Sequence, residues 1–107
     1  MSLDVDLIEL RPTSIYSANI THNLNHMAEE AGIYKHLWRP EELGITKASE
    51  LIQPLTEGLA ALKSDPERFK KFNPANGWGD YGGLVRFVDE YLSACGANPD
   101  ATLEVSR

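Results

Sequence analysis

A single cysteine, Cys95, in 107 residues excludes a framework of internal disulfides. Cations are scarce as well: 10 Lys and Arg stand against 16 Asp and Glu, a formal net charge of −6. That deficit argues against non-specific nucleic-acid binding, which depends on Lys and Arg neutralising phosphates. No apolar run approaches the ~20 residues needed to span a bilayer. Met1 to Leu10 carries Asp4, Asp6 and Glu9 and lacks a basic start before an apolar stretch. A secretory signal is therefore not expected, and the cytoplasm is the default location. Without such a signal, the glycosylation pattern Asn19-Ile20-Thr21 reads as chance. Neither a nucleic acid nor a membrane is expected as partner.

Catalytic signatures are missing too. No serine lies in a Gly-x-Ser-x-Gly elbow. Gly77, Gly79, Gly82 and Gly83 are followed by no Gly-Lys-Ser/Thr and preceded by no apolar strand, so neither a phosphate loop nor a dinucleotide fingerprint is formed. The acidic pairs Glu29-Glu30, Glu41-Glu42 and Asp89-Glu90 cannot face each other on a helix, and read as solubilising charge. Cys95 falls on the apolar side of a helix, with no base and no electropositive neighbour to activate it; a buried structural thiol is the expectation. No cofactor is expected.

The residues that are present specify a fold more clearly than an activity. A chain 42% hydrophobic can bury ~65% of its unfolded surface, and its length fits one domain over residues 1–107. Val5 to Leu10 alternates as a half-wet strand, with Val5, Leu7 and Glu9 on one face and Asp6 and Ile8 on the other. Arg11-Pro12-Thr13 turns the chain, and Ser14 to Ala18 returns as the second arm of a hairpin. Ile20, Leu24, Met27, Ala28 and Ala31 recur at helical spacing. They predict a helix over 20–31, capped by Asn19 or Thr21 and ended by Gly32. Ile33 to Trp38 makes a turn or short helix, stopped at Arg39-Pro40. Thr46 is placed to cap a helix to Lys63 whose apolar stripe keeps phase across Pro54. Asp65-Pro66 starts another, to about Phe72. Asp80 caps the last helix, whose wide apolar sector makes it central and which Gly96 should end. Thr102 to Val105 closes as a strand beside the first. The expected class is α+β: a small antiparallel sheet from the chain ends, packed with four or five helices.

Two clusters could carry chemistry. His22, His26 and Glu30 recur every four residues, which on a helix stacks them on one face, and paired histidines at that spacing can hold zinc. A closed zinc site needs about four ligands and nothing nearby supplies them, so a polar helix face turned to solvent is the plainer reading. The basic group Arg68, Lys70 and Lys71 likewise reads as a solvated face.

The second cluster is Asn73-Pro74-Ala75-Asn76-Gly77-Trp78-Gly79-Asp80-Tyr81, an ordered turn that presents large aromatic side chains, the kind enriched at interface hot spots. In a domain with only three Phe, Trp38 and Trp78 can also serve as core filling, the simpler use of each. Asn19, Thr21 and Asn23 offer hydrogen-bonding side chains close by in sequence. The candidate binding set is therefore Asn19, Thr21, Asn23, Trp78, Asp80 and Tyr81. The expected function is a non-enzymatic binding or interaction protein with a protein partner or small ligand. The alternatives are a small metal-dependent enzyme using His22, His26 and Glu30, and an acidic inhibitor of a basic host protein.

The strings Asn19-Ile20-Thr21-His22-Asn23-Leu24, Ala31-Gly32-Ile33-Tyr34, Leu37-Trp38-Arg39-Pro40, Asn76-Gly77-Trp78-Gly79-Asp80-Tyr81 and Val105-Ser106-Arg107 together resemble a family of small uncharacterised bacterial and phage-associated proteins. The likeness runs from about Asn19 onward. It implies one small domain with a possible mobile-element origin, and brings no activity and no functional residue with it.

Overall fold

Alternation at the N-terminus decides the sheet. In the computed structural model, which describes residues 2–10 and 13–107 without the side chains of Glu9, Leu10 and Thr13, Leu3, Val5 and Leu7 are fully buried and Asp4 faces out. Strand β1 (Ser2–Leu10) pairs antiparallel with β2 (Thr13–Thr21) on one side and β3 (Thr102–Ser106) on the other. The sheet order is β2-β1-β3. Leu3 lies opposite Ile20, Val5 opposite both Ala18 and Val105, and Leu7 opposite both Tyr16 and Leu103. One face is thereby apolar across all three strands. Part of the expected turn, Arg11 and Pro12, lies outside the described residues.

Helices cover that apolar face. Among the described residues they are α1 (Asn25–Glu30), α2 (Tyr34–Trp38), α3 (Ser49–Ser64), α4 (Pro66–Lys70) and α5 (Tyr81–Ala97), with 3-10 turns at His22–Leu24 and Pro40–Leu43. Helix α5 packs on α3, α4 and β2 and buries Leu84, Phe87, Val88, Tyr91 and Cys95. It is central, as its wide apolar sector predicts, and each such side chain contributes ~1.5–3 kcal/mol by leaving water. Helix α3 runs unbroken through Pro54. At Gly58 an added Cβ would lie 2.3 Å from Ile33 Cγ2, so the absent side chain is what lets α3 approach the α1–α2 junction closely.

Several boundaries differ from the sequence reading, each for a physical reason. No single helix spans 20–31. Ile20 is in phase with Leu24 at helical spacing, but also with Tyr16 and Ala18 at strand spacing. Its burial opposite Leu3 settles it as strand and carries β2 on to Thr21. Thr46 does not cap α3: its carbonyl accepts from Leu103 N–H at 2.9 Å, while Glu50 Oε1 reaches back to the N–H groups of Thr46 and Lys47 at 3.1 and 3.0 Å. Those donors hold the Glu50 carboxyl below its ordinary range. Gly96 lies inside α5, which ends at Asn98, whose Nδ2 and backbone N–H both donate to the Ala94 carbonyl. Helix α4 stops at Lys70 and leaves Phe72 exposed. The caps at Asp65 and Asp80 are as read from sequence, accepting from Arg68 N–H and Gly83 N–H at 3.3 and 2.7 Å.

Candidate functional site

The loop between α4 and α5 is fixed by its own side chains. Asn73 Oδ1 accepts from Tyr81 N–H at 2.8 Å, and Asn76 Oδ1 accepts from Trp78 N–H at 2.9 Å. Gly77 N–H closes a turn on the Pro74 carbonyl at 3.2 Å. Gly77 and Gly79 take φ of +77° and +97°, a region that side chains with a Cβ rarely occupy. At Gly79 an added Cβ would also stand 2.7 Å from Thr21 Cγ2. The loop backbone is therefore pressed against the end of β2, and Trp78 projects from it 70% exposed.

The result is a groove of about 680 Å³ lined by Ser2, Asn19, Thr21, His22, Asn23 and Trp78. Strand β2 supplies Asn19 and Thr21, the 3-10 turn supplies His22 and Asn23, and register places Ser2 opposite Thr21. Thr21 Oγ1 accepts from Asn23 N–H at 3.3 Å, which caps the 3-10 turn and orients its first residues. Among the described residues the lining carries amides, hydroxyls and an imidazole beside an indole face, and no Lys, Arg, Asp or Glu. Such a surface recognises by hydrogen bonds and stacking instead of by charge.

The structure divides the sequence-derived set. Asn19, Thr21, Asn23 and Trp78 meet in the groove. Asp80 and Tyr81 serve as its support: Asp80 caps α5, and Tyr81 Oη donates to the Leu62 carbonyl at 2.7 Å, tying the loop to the end of α3. The preference for core filling is right for Trp38, 2% exposed, and wrong for Trp78. Ser2 and His22 were not in the set. In sequence His22 reads as half of a metal pair, and Ser2 precedes the alternation that begins at Val5.

The histidine cluster does not assemble. His22 belongs to the 3-10 turn and is half-buried, its ring edge-on to Trp38 at 6.2 Å, so it does not share a solvent face with His26. Glu30 is paired with Arg68. Among the described residues no group of three or more His, Cys, Asp or Glu is placed to hold a metal ion. A second groove of about 680 Å³ between α2 and α3 holds His36, Glu50, Gln53 and Glu57. There Glu50 is already committed to the start of α3, and burial pushes His36 below its ordinary value. Burial also pushes the Cys95 thiol up to about 11, which leaves it protonated and unreactive near neutral pH.

Comparison with family models, with curated proteins and with solved structures finds no match to this chain. Among the described residues no helix is long and apolar enough to cross a membrane. The functional reading therefore rests on the groove.

Proposed function

We propose that the chain is a non-enzymatic binding protein that uses the Trp78 groove to hold an uncharged polar ligand or a segment of a protein partner with an apolar face. The observation that carries this reading is a tryptophan 70% exposed on a loop whose backbone is pinned at Asn73, Asn76 and Asp80. A large side chain held out on an ordered loop loses little freedom on binding, which favours affinity. The neutral lining supplies hydrogen-bond groups for specificity without an ionic anchor.

Trp78 is also the reporter. Its emission should be open to acrylamide quenching in the free protein, while that of Trp38 is shielded. A panel of divalent metals, nucleotides and common metabolites tests for small ligands by thermal shift: a compound at 100 times its dissociation constant adds about 2.7 kcal/mol, a rise on the order of 10 °C in a domain this size. A hit that also protects Trp78 from quenching, and is lost in Trp78→Ala, places the ligand in the groove. A hit that leaves Trp78 quenching unchanged puts the site elsewhere and counts against the proposal. A flat panel turns the search to protein partners, read by the same protection of Trp78.

A further inference from the structure

The outer edge of β2 is an open strand edge. Leu103 N–H donates away from the sheet to the Thr46 carbonyl at 2.9 Å, so Leu103 does not exchange backbone hydrogen bonds with Leu7, its partner on β1. In an antiparallel ladder the bonded and non-bonded pairs alternate. Leu7, Val5 and Leu3 must therefore direct their backbone groups to the other side, toward Tyr16, Ala18 and Ile20. By the same alternation, Ser17, Asn19 and Thr21 turn their N–H groups outward, to the side where, among the described residues, no further strand lies.

Proteins protect such edges with charges, prolines, bulges or a covering element. Strand β2 (Thr-Ser-Ile-Tyr-Ser-Ala-Asn-Ile-Thr) has no charged residue and no proline. Its register irregularities are confined to the hairpin end, and Tyr16 to Thr21 pairs regularly with Ser2 to Leu7. No backbone hydrogen bond from outside the sheet reaches these residues among those described.

The surroundings select the occupant. A groove of about 460 Å³ runs along this edge, with Tyr16, Ser17 and Ala18 on one wall and Asp89, Glu90 and Ser93 of α5 on the other. On the opposite face of the sheet Asp6 lies across from Ser17 and Asp4 across from Asn19. An added strand thus meets the Asp89 and Glu90 carboxylates on its α5 side. A second copy joined β2 to β2 about a two-fold axis sets the two α5 helices side by side and brings Asp89 and Glu90 of each toward those of the other, an arrangement that like charge opposes.

We propose that the β2 edge docks an extended basic segment of a partner protein by strand addition, its backbone pairing with Ser17, Asn19 and Thr21 and its Lys or Arg side chains meeting Asp89 and Glu90. Main-chain hydrogen bonds supply the affinity in this mode and the flanking side chains the specificity. The inference shares Asn19 and Thr21 with the Trp78 groove but does not rest on that reading, because it uses their backbone groups and the carboxylates of α5 and not the indole.

The probe is a short blocked peptide alternating valine and lysine, followed by amide chemical shifts of the protein. Shifts are expected at Ser17, Asn19, Thr21, Asp89 and Glu90, with weakening at high salt, and none with the valine–glutamate counterpart. Because one edge of a strand uses only alternate amides, N-methylation of the peptide in one phase should abolish binding and in the other leave it. In D89K/E90K the affinity for the lysine peptide should fall about tenfold or more and the glutamate peptide should gain. Both substitutions are on exposed positions of α5. No binding of the lysine peptide, equal tolerance of both methylation phases, or a concentration-dependent dimer that protects the amides of Ser17 and Asn19 would each overturn the proposal, the last in favour of a second copy.

Discussion

Trp38 and Trp78 are the chain's only tryptophans, and the regions around them are held by different forces. The Trp38 ring stacks on Tyr34 at 5.6 Å and meets His22 edge-on at 6.2 Å. Its carbonyl accepts from Arg107 Nη1 at 2.8 Å, which joins the chain's last residue to α2. There apolar burial and aromatic packing create the order. Around Trp78 the order comes from side-chain-to-backbone hydrogen bonds of Asn73, Asn76 and Asp80 and from glycines of positive φ. Order and burial are separable, and only the second region leaves its tryptophan free to touch something else. His22 joins the two, lining the groove while touching the core.

The comparison breaks first at Trp38. Trp38→Ala removes a buried ring and its stacking partners, and is expected to cost ~3–5 kcal/mol, read as a lower denaturant midpoint. Gly79→Ala attacks the other region through its backbone. It forces an alanine to φ near +97° with its Cβ against Thr21, for about 1–3 kcal/mol. Because relief requires the loop to lift from β2, any groove ligand should be lost with it. Asp80→Ala removes a helix cap and is expected to cost about 1 kcal/mol, with hydrogen exchange rising in the first turn of α5 and not near Trp38.

A pH titration sharpens the contrast without changing the loop. Burial holds His36 below its usual value of 6.5, so below that pH the unfolded chain binds the proton more readily. The stability His36 contributes is therefore full above its unfolded value and is lost as pH falls through the lower folded one. Urea midpoints should decline over that acid range in the parent and decline less in His36→Gln. Acrylamide quenching of Trp78 should stay constant as long as the domain remains folded.

Much of this was legible in the sequence, and the failures share a cause. Asp65 and Asp80 as caps, the burial of Cys95 and the pairing of the chain ends all follow from local chemistry or strict periodicity. Ile20 satisfies two periods at once, and only its partner Leu3, far off in sequence, decides between them. Thr46 and Trp78 failed alike: whether a hydroxyl caps or an indole is covered depends on what tertiary structure places beside it. Four of the six candidate site residues still converged on one groove, since Asn and Thr near a strand end and a Trp between glycines are local signals of display. Asp80 and Tyr81 look the same in sequence, but their polar groups are spent on α5 and α3.

The smallest expected effect is the most discriminating. Trp78→Ala removes the largest exposed side chain of the loop, yet none of the hydrogen bonds that shape the loop involves the indole: Asn76 accepts from the Trp78 backbone N–H, which alanine retains. Substitutions at such surface positions usually stay within about 0.5 kcal/mol, a shift of ~2–4 °C in Tm. A loss comparable to that of Trp38→Ala would mean that Trp78 stabilises the fold and that the groove has no free wall. Stability within the narrow range, together with loss of a groove ligand, separates binding from folding at one residue. That separation requires a loop ordered without the indole, so Gly79→Ala should lose both properties where Trp78→Ala loses one.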